Sequence, residues 1–453
     1  MKCKFLHLSD IHLGYQQYNL NQRFNDFGHT FLHIVDRAIS ERVDFVILGG
    51  DLFQKRTIDP PTLTQAIEGL GRLKEVGIPV AAVEGNHERA HYRDVFSWMD
   101  FLASQGYLAL LNPVSFKDGI PALTAWDEVE GSYLEPLKGI RIYGIKYYGA
   151  MTDRVVKGLV QALSEMDHSQ IEYVILVMHA GLEGVLPNYS ATLTHSQIAP
   201  LRDYVDYLAL GHIHKPFERE GWIFNPGSPE TCSIDEAAWP NRGYYLVEVN
   251  TAPSDGAPKH LAQLVTNPRR PFLRLSLSVD PYQNPEALYT AAEGHLRQEA
   301  AQYASNAHNP ESTTQPLAAE LPDGVSHQAK KSTAPMVNLT LEGVLPFARH
   351  ELDVKRLEAL IEDAFHPLLA RVNNRTVPTE YEVSGDETKP RAELEREVVE
   401  DLVERDARYQ RAAADWTQII LNVKRMSLEG TSPEGLVDYL ESANRRVTES
   451  APD

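Results

Sequence analysis

The sequence predicts an α/β fold, on three observations. Over the first 250 residues, short β-rich apolar runs alternate with helix-like stretches. The apolar runs are near-continuous, which suits strands covered on both faces. Five of them are followed closely by residues that can bind a metal ion. In chain order the expected strands are 5–8, 45–48, 80–83, 141–145, 173–178 and 207–210. Between them lie amphipathic segments such as 27–42 and 63–76. No internal repeat is present.

Residues 251–271 carry proline, glycine and serine and read as a linker. A strand is expected over 272–279 and a helix over 285–302. From about 304 to 335 the chain has no aromatic residue, several prolines and many small polar residues, the composition of a flexible insertion. A second strand, 337–341, and a helix, 354–365, follow. The expected domains are therefore 1–250, a small α+β domain over 272–377, and a helical region over 378–453. In that last region Leu402, Tyr409, Trp416 and Val423 recur every seven residues, the stripe of one long amphipathic helix. Ser432 and Pro433 mark the start of a shorter helix, 433–445. Such a stripe serves either to pack on the chain's own core or to hold a partner, and position and composition do not choose between them.

The 453 residues are enough for two or three domains. No apolar run approaches a membrane span, and the N-terminus is not patterned as a signal peptide. Cys3 and Cys232 are the two cysteines, too few and too distant for a disulfide framework. A reducing cytoplasm is the expected location. The net charge of −20 argues against a general nucleic-acid coat protein. It leaves open an enzyme acting on DNA, since metal ions and a local basic patch offset acidic ligands.

The chemistry concentrates in five segments: "HLSDIHLG" with Asp10 and His12, "ILGGDLF" with Asp51, "AVEGNHE" with Asn86 and His87, "LVMHAG" with His179, and "ALGHIHKP" with His212 and His214. In α/β sheets, ligands bind outside the carboxyl ends of strands, so these distant positions would converge at one edge. Carboxylate, imidazole and amide oxygen suit Mn²⁺, Fe²⁺ or Zn²⁺. Seven ligands are too many for one ion with open positions. They suit two ions about 3.5–4 Å apart sharing a carboxylate. Gly50, Gly85 and Gly211 precede ligands where the chain must turn. Tyr15, Arg23, Lys55, Arg56 and Arg89 lie in loops just after ligand motifs. They are candidate phosphate contacts, with solvated loop positions as the alternative.

The stretches "FLHLSDIHLGY", "GGDLF", "GNHE", "YLALGHIHKP" and "NPGSPE" resemble the calcineurin-like metallophosphoesterases. The similarity is to one branch, the SbcD nucleases and their meiotic-recombination-eleven relatives of double-strand-break repair. The resemblance implies a layered β-sandwich metallophosphoesterase core flanked by helices, a small α+β capping domain and a C-terminal helical tail. It implies a two-metal DNA exonuclease and endonuclease, usually manganese-dependent. That enzyme works on DNA with an SMC-like coiled-coil ATPase of the SbcC (Rad-fifty) type, as a homodimer, and is cytoplasmic and nucleoid-associated. Carried over by motif, one ion falls to Asp10, His12, Asp51 and His214. The other falls to Asp51, Asn86, His179 and His212. Asp51 bridges them, and His87 matches the catalytic histidine that stabilises the leaving oxygen. In many members a histidine follows "GDLF" and steadies that catalytic histidine. Here Gln54 stands instead, which hydrogen-bonds but does not titrate. Two other readings of the same motifs are a phosphodiesterase or phosphatase on small molecules or phosphoproteins, and a mainly structural DNA-tethering subunit.

Overall fold

The computed structural model describes all residues except 91–95, 187–191, 255, 308–333, 379–390, 405–408, 410, 411 and 451–453. The expected insertion, 304–335, lies mostly outside the described residues. Contacts divide the chain into two compact units. One comprises Met1–Leu275, His295–Asn338 and Glu358–Arg371; the other comprises Ser276–Gly294, Leu339–Leu357 and Val372–Asp453.

The first unit is built on two six-stranded sheets. In spatial order the first runs His260–Thr266, Gly243–Asn250, Lys2–Leu8, Phe45–Leu48, Val80–Ala82 and Ala109–Leu110. The second runs Phe217–Arg219, Ile223–Asn225, Tyr207–Gly211, Tyr173–His179, Ile140–Ile145 and Tyr133–Leu137. Each sheet has a parallel heart. Lys2–Leu8, Phe45–Leu48 and Val80–Ala82 run in parallel register, as do Ile140–Ile145, Tyr173–His179 and Tyr207–Gly211. Parallel neighbours end on the same side, so ligands that follow them gather there.

The burial pattern explains why both sheets form. Phe45–Leu48 and Tyr173–His179 are buried at every position. Alternate side chains such as Phe5, Phe45 and Ile47 meet Ile142, Ile175, Val177 and Tyr207 in one apolar layer between the sheets. The other set packs outward under helices. Leu6, Leu8, Val46 and Leu48 lie against Phe31, Ile34, Val35, Leu70 and Leu73. Those last five come from helices Asn21–Ser40 and Pro60–Glu75, whose apolar residues recur at helical spacing. Leu176, Met178, Leu208 and Leu210 lie against Val155, Val156, Leu159 and Leu163 of helix Thr152–Glu165. The result is a helix–sheet–sheet–helix sandwich. Helix Pro60–Glu75 starts where the sequence dictates: the Asp59 carboxylate accepts from the Thr62 amide at 2.9 Å, and Pro60 occupies the first turn.

Two expectations need correction. The stretch 251–271, read as a linker, holds the edge strand His260–Thr266, paired antiparallel with Gly243–Asn250. Its prolines and glycine flank that strand, Pro253, Gly256 and Pro258 before it and Pro268 and Pro271 after it, and an edge strand with alternating exposure carries a weak apolar signal. In the second unit the stripe from Leu402 to Val423 belongs to two helices, Arg391–Glu404 and Ala413–Leu428, and not to one. Ala412 leaves helical geometry at φ −133°, ψ 42°. A heptad stripe looks the same on one long helix as on two shorter ones. The Lys424 ammonium pairs with the Glu395 carboxylate between them. Helix Pro433–Ser450 begins at the expected place, with the Ser432 hydroxyl accepting from the Gly435 amide at 3.3 Å. Strands Phe272–Ser278, Met336–Glu342 and Leu369–Asn374 form a separate three-stranded sheet. Among the described residues, no helix is long and apolar enough to cross a membrane.

Candidate metal centre

All five ligand motifs leave the carboxyl ends of parallel strands, three from the first sheet and two from the second. The first two loops run side by side. The amides of Asp10, His12 and Leu13 donate to the carbonyls of Gly50, Asp51 and Leu52 at 3.0, 3.0 and 2.8 Å. Four of the seven expected ligand residues hold the left-handed backbone: Asp10 (φ 53°), His12 (φ 55°), Asp51 (φ 53°) and His212 (φ 90°). Non-glycine residues persist there only where the surroundings over-determine them, and such sites cluster at function. Two glycines make room. A Cβ on Gly50 (φ +94°) would run into the His179 ring, and one on Gly85 would run into the Asp51 carboxylate.

The seven side chains converge. The Nε2 atoms of His12 and His214 face each other at 3.0 Å, and Asp10 Oδ1 is 3.9 Å from that His214 atom. On the other side, Asn86 Oδ1 lies 3.1 Å from His179 Nε2 and 2.9 Å from His212 Nδ1. Asp51 Oδ2 is 3.3 Å from His179 Nε2. Ligand atoms of Asp51, His179 and His212 fall within 4.8 Å of one another, as do those of Asp51, His12 and His87. Asp51 therefore stands in both halves of the cluster.

These residues fit a pair of divalent ions. Ring nitrogens, carboxylate oxygens and an amide oxygen gathered this closely are the donor types that divalent ions take. His12 is 1% exposed, and its Nδ1 has no hydrogen-bond partner among the described residues. Burial, and next the His214 ring, pushes His12 down to about 3. Burial, and next His179, pushes His212 down to about 3. Both rings stay neutral, the form that binds metal. Burial alone would raise the Asp51 carboxyl, but His179 outweighs it and holds Asp51 ionised, below the usual carboxylate range.

Surrounding groups fix the ligands. His179 Nδ1 donates to the Gly49 carbonyl at 2.7 Å, which turns Nε2 into the site. His214 Nδ1 donates to the Glu236 carboxylate at 2.8 Å, and Glu236 in turn accepts from Arg242 at 2.6 Å. Burial would raise Glu236, but His214 and Arg242 hold it down to about 2. Glu88, 3% exposed, accepts from the amides of Asp51, Phe53 and Gly85 at 3.1, 3.0 and 2.9 Å, tying two ligand loops together. Neither Glu236 nor Arg242 carries a sequence signal, since they meet His214 only through folding. Glu88 was visible as the last letter of "GNHE", but its partners are backbone amides.

His87 sits at the rim, half-buried. Its amide donates to Asp51 Oδ1 at 2.9 Å, and its Nδ1 donates to the backbone carbonyl of Gln54 at 2.7 Å. The group steadying His87 is thus the main chain at position 54, not the side chain. The Gln54 amide itself is anchored on the Leu13 carbonyl at 2.9 Å. Lys55 and Arg56 are exposed and line one cleft with Gln54, Thr57, Asn86 and His87. Arg89 is exposed as well, while Tyr15 is half-buried with its ring 5.3 Å from that of Phe27. Arg23 overturns its assignment as a phosphate contact. It is fully buried and donates to Asp26 at 2.6 Å, Glu230 at 3.1 Å and Gln17 at 2.9 Å. A helix-start arginine beside a ligand loop looks the same in sequence whether it points out or in.

The profile of the calcineurin-like phosphoesterase family matches residues 3–216. The chain is similar to the DNA double-strand break repair protein Mre11 of Archaeoglobus fulgidus, at 32% identity over 52% of this chain and 52% of that protein. It is similar to its namesake from Saccharolobus solfataricus at 35% identity, over 54% of this chain and 60% of that protein. The chain thus spans between half and two-thirds of the length of these relatives. Among solved structures, it is similar to a dimetal phosphatase from Danio rerio at 13% identity and TM-score 0.37, covering 58% of this chain and 99% of that one. Residues 3–216, which carry the five motifs, thus resemble a calcineurin-like phosphoesterase domain. Within that class, the chain is similar to the archaeal Mre11 proteins named above.

Proposed function

We propose that this chain is a two-metal-dependent DNA nuclease, acting as exonuclease and endonuclease, and the nuclease subunit of an SbcCD-like repair complex. The observation that carries the reading is the convergence of seven ligand side chains around Asp51, with His87 held at the rim. Asp10, His12, Asp51 and His214 would hold one ion, and Asp51, Asn86, His179 and His212 the other. Mn²⁺ is the proposed metal for the pair. The ions supply an activated water and neutralise charge on the phosphate. The chain's own part is positional and protic. Asp51 keeps both halves in register, and Glu88 fixes the loops that carry it. The Gln54 carbonyl holds the His87 tautomer with its proton on Nδ1. In the imidazolium form Nε2–H then stabilises the leaving oxygen. Lys55, Arg56 and Arg89 supply positive charge beside the cleft for the DNA backbone.

The helical region 378–453 is proposed to hold an SMC-like coiled-coil ATPase. Leu402, Ile420, Leu428, Val437 and Leu440 are 39–79% exposed there, supporting an apolar docking face. A homodimer and a capping domain over 272–377 complete the proposal. The test incubates the pure chain and Mn²⁺ with end-labelled duplex DNA, beside Asp51→Asn. Degradation by the wild type alone is expected. Inert DNA together with brisk hydrolysis of a cyclic nucleotide would replace the nuclease by a small-molecule phosphodiesterase.

A further inference from the structure

One group in the cluster has no place in the seven-ligand scheme. Cys232 Sγ and ring nitrogens of His12 and His214 all lie within 4.8 Å of one another. The thiol has come there from a separate loop, far along the chain from His12. Its backbone is pinned on both sides: the amide donates to Glu236 at 2.9 Å, and the carbonyl accepts from Gln17 at 2.8 Å. Glu236 is also the carboxylate that orients His214, so one group sets both the histidine and the cysteine. The thiol hydrogen-bonds the His214 side chain and makes longer contacts of 3.5 Å to the Ser228 hydroxyl and 3.8 Å to the Glu230 carbonyl. Beside it is a second sign of a ligand site, the buried His12 ring whose Nδ1 lacks a partner among the described residues.

The two halves of the cluster therefore differ in donor chemistry. Asn86, His179 and His212 offer oxygen and nitrogen. Asp10, His12 and His214 offer the same, with a sulfur alongside. Sulfur donors favour softer ions of the Zn²⁺ class, and carboxylate and carbonyl oxygen favour Mn²⁺. We propose that Cys232 is a thiolate ligand at the His12–His214 position and gives it preference for a Zn²⁺-class ion. The Asn86–His179–His212 position would keep a harder ion such as Mn²⁺. This rests on the two-ion reading above. On binding, the S–H bond breaks, the metal–sulfur bond forms and the proton leaves to solvent.

Co²⁺ is the probe, titrated into the metal-free full chain and followed by absorption. Ligand-field bands report Co²⁺ in the site, and a near-ultraviolet charge-transfer band reports a cobalt–thiolate bond. The expected result is both in the wild type, with the charge-transfer band lost in Cys232→Ser and kept in Cys3→Ser. Cys3 is the chain's other cysteine and is buried in the strand Lys2–Leu8. Ligand-field bands without charge transfer in the wild type would overturn the thiolate and leave the two-ion reading standing. So would a band that survives Cys232→Ser. No cobalt bands at all would overturn both. If circular dichroism shows that Cys232→Ser does not fold, Cys3→Ser decides alone: retention of the band supports Cys232, and its loss refutes it.

Discussion

The double-sheet unit buries two polar clusters of opposite character. One gathers Arg23, Asp26, Glu230 and Arg270. Its charges alternate in sign, and Arg270 grips both Asp26 oxygens at 2.6 and 2.9 Å while Arg23 takes Asp26 and Glu230. The other gathers the seven proposed ligand residues. There, imidazoles, carboxylates and one amide oxygen crowd together, the His12 and His214 Nε2 atoms lie 3.0 Å apart, and four residues hold left-handed backbone. The first cluster is complete within the chain. The second brings together side chains of the types that hold divalent ions. Burial of polar groups is common to both, so burial alone does not mark function; the sign and pairing of the neighbours do.

That contrast can be broken or sharpened by substitution. His87→Ala is expected to have the largest effect, lowering the DNA-cleavage rate about 10²–10⁴-fold with Mn²⁺ affinity kept. Parallel loss of metal would move His87 into the ligand set. Arg23→Ala removes the cation from a carboxylate pair and should cost about 3–5 kcal/mol in denaturant unfolding, with Mn²⁺ affinity unchanged. Unaltered stability with weakened DNA binding would restore the phosphate-contact reading. Gln54→Ala should do least. His87 leans on the main chain at that position, so cleavage rate and its pH profile should stay put. A marked fall would show that the side chain matters after all.

Much of this was legible in the sequence because it is local. Buried strands such as 45–48 and 173–178 are apolar without interruption, and each ligand follows its strand within a few residues. Convergence at one edge then follows from parallel pairing. What escaped depends on side-chain direction or on distant partners. Arg23 turned inward toward Glu230, which lies 207 residues away. Glu236 found His214 and Arg242 through the fold alone. The strand His260–Thr266 hid between proline-bearing connections, and the C-terminal stripe belonged to two helices because periodicity does not report a break at Ala412. Gln54 stood out by side chain, whereas its carbonyl makes the contact.

The central claim is that Asp51 joins two ion positions into one site. Load the metal-free chain with Mn²⁺ and Zn²⁺ together, separate it from free ions by gel filtration, and count total bound metal by mass spectrometry. Two ions per chain are expected for the wild type, and neither should be retained by Asp51→Asn. A folded Asp51→Asn that still carries two ions would contradict the account, as would a wild type that binds only one.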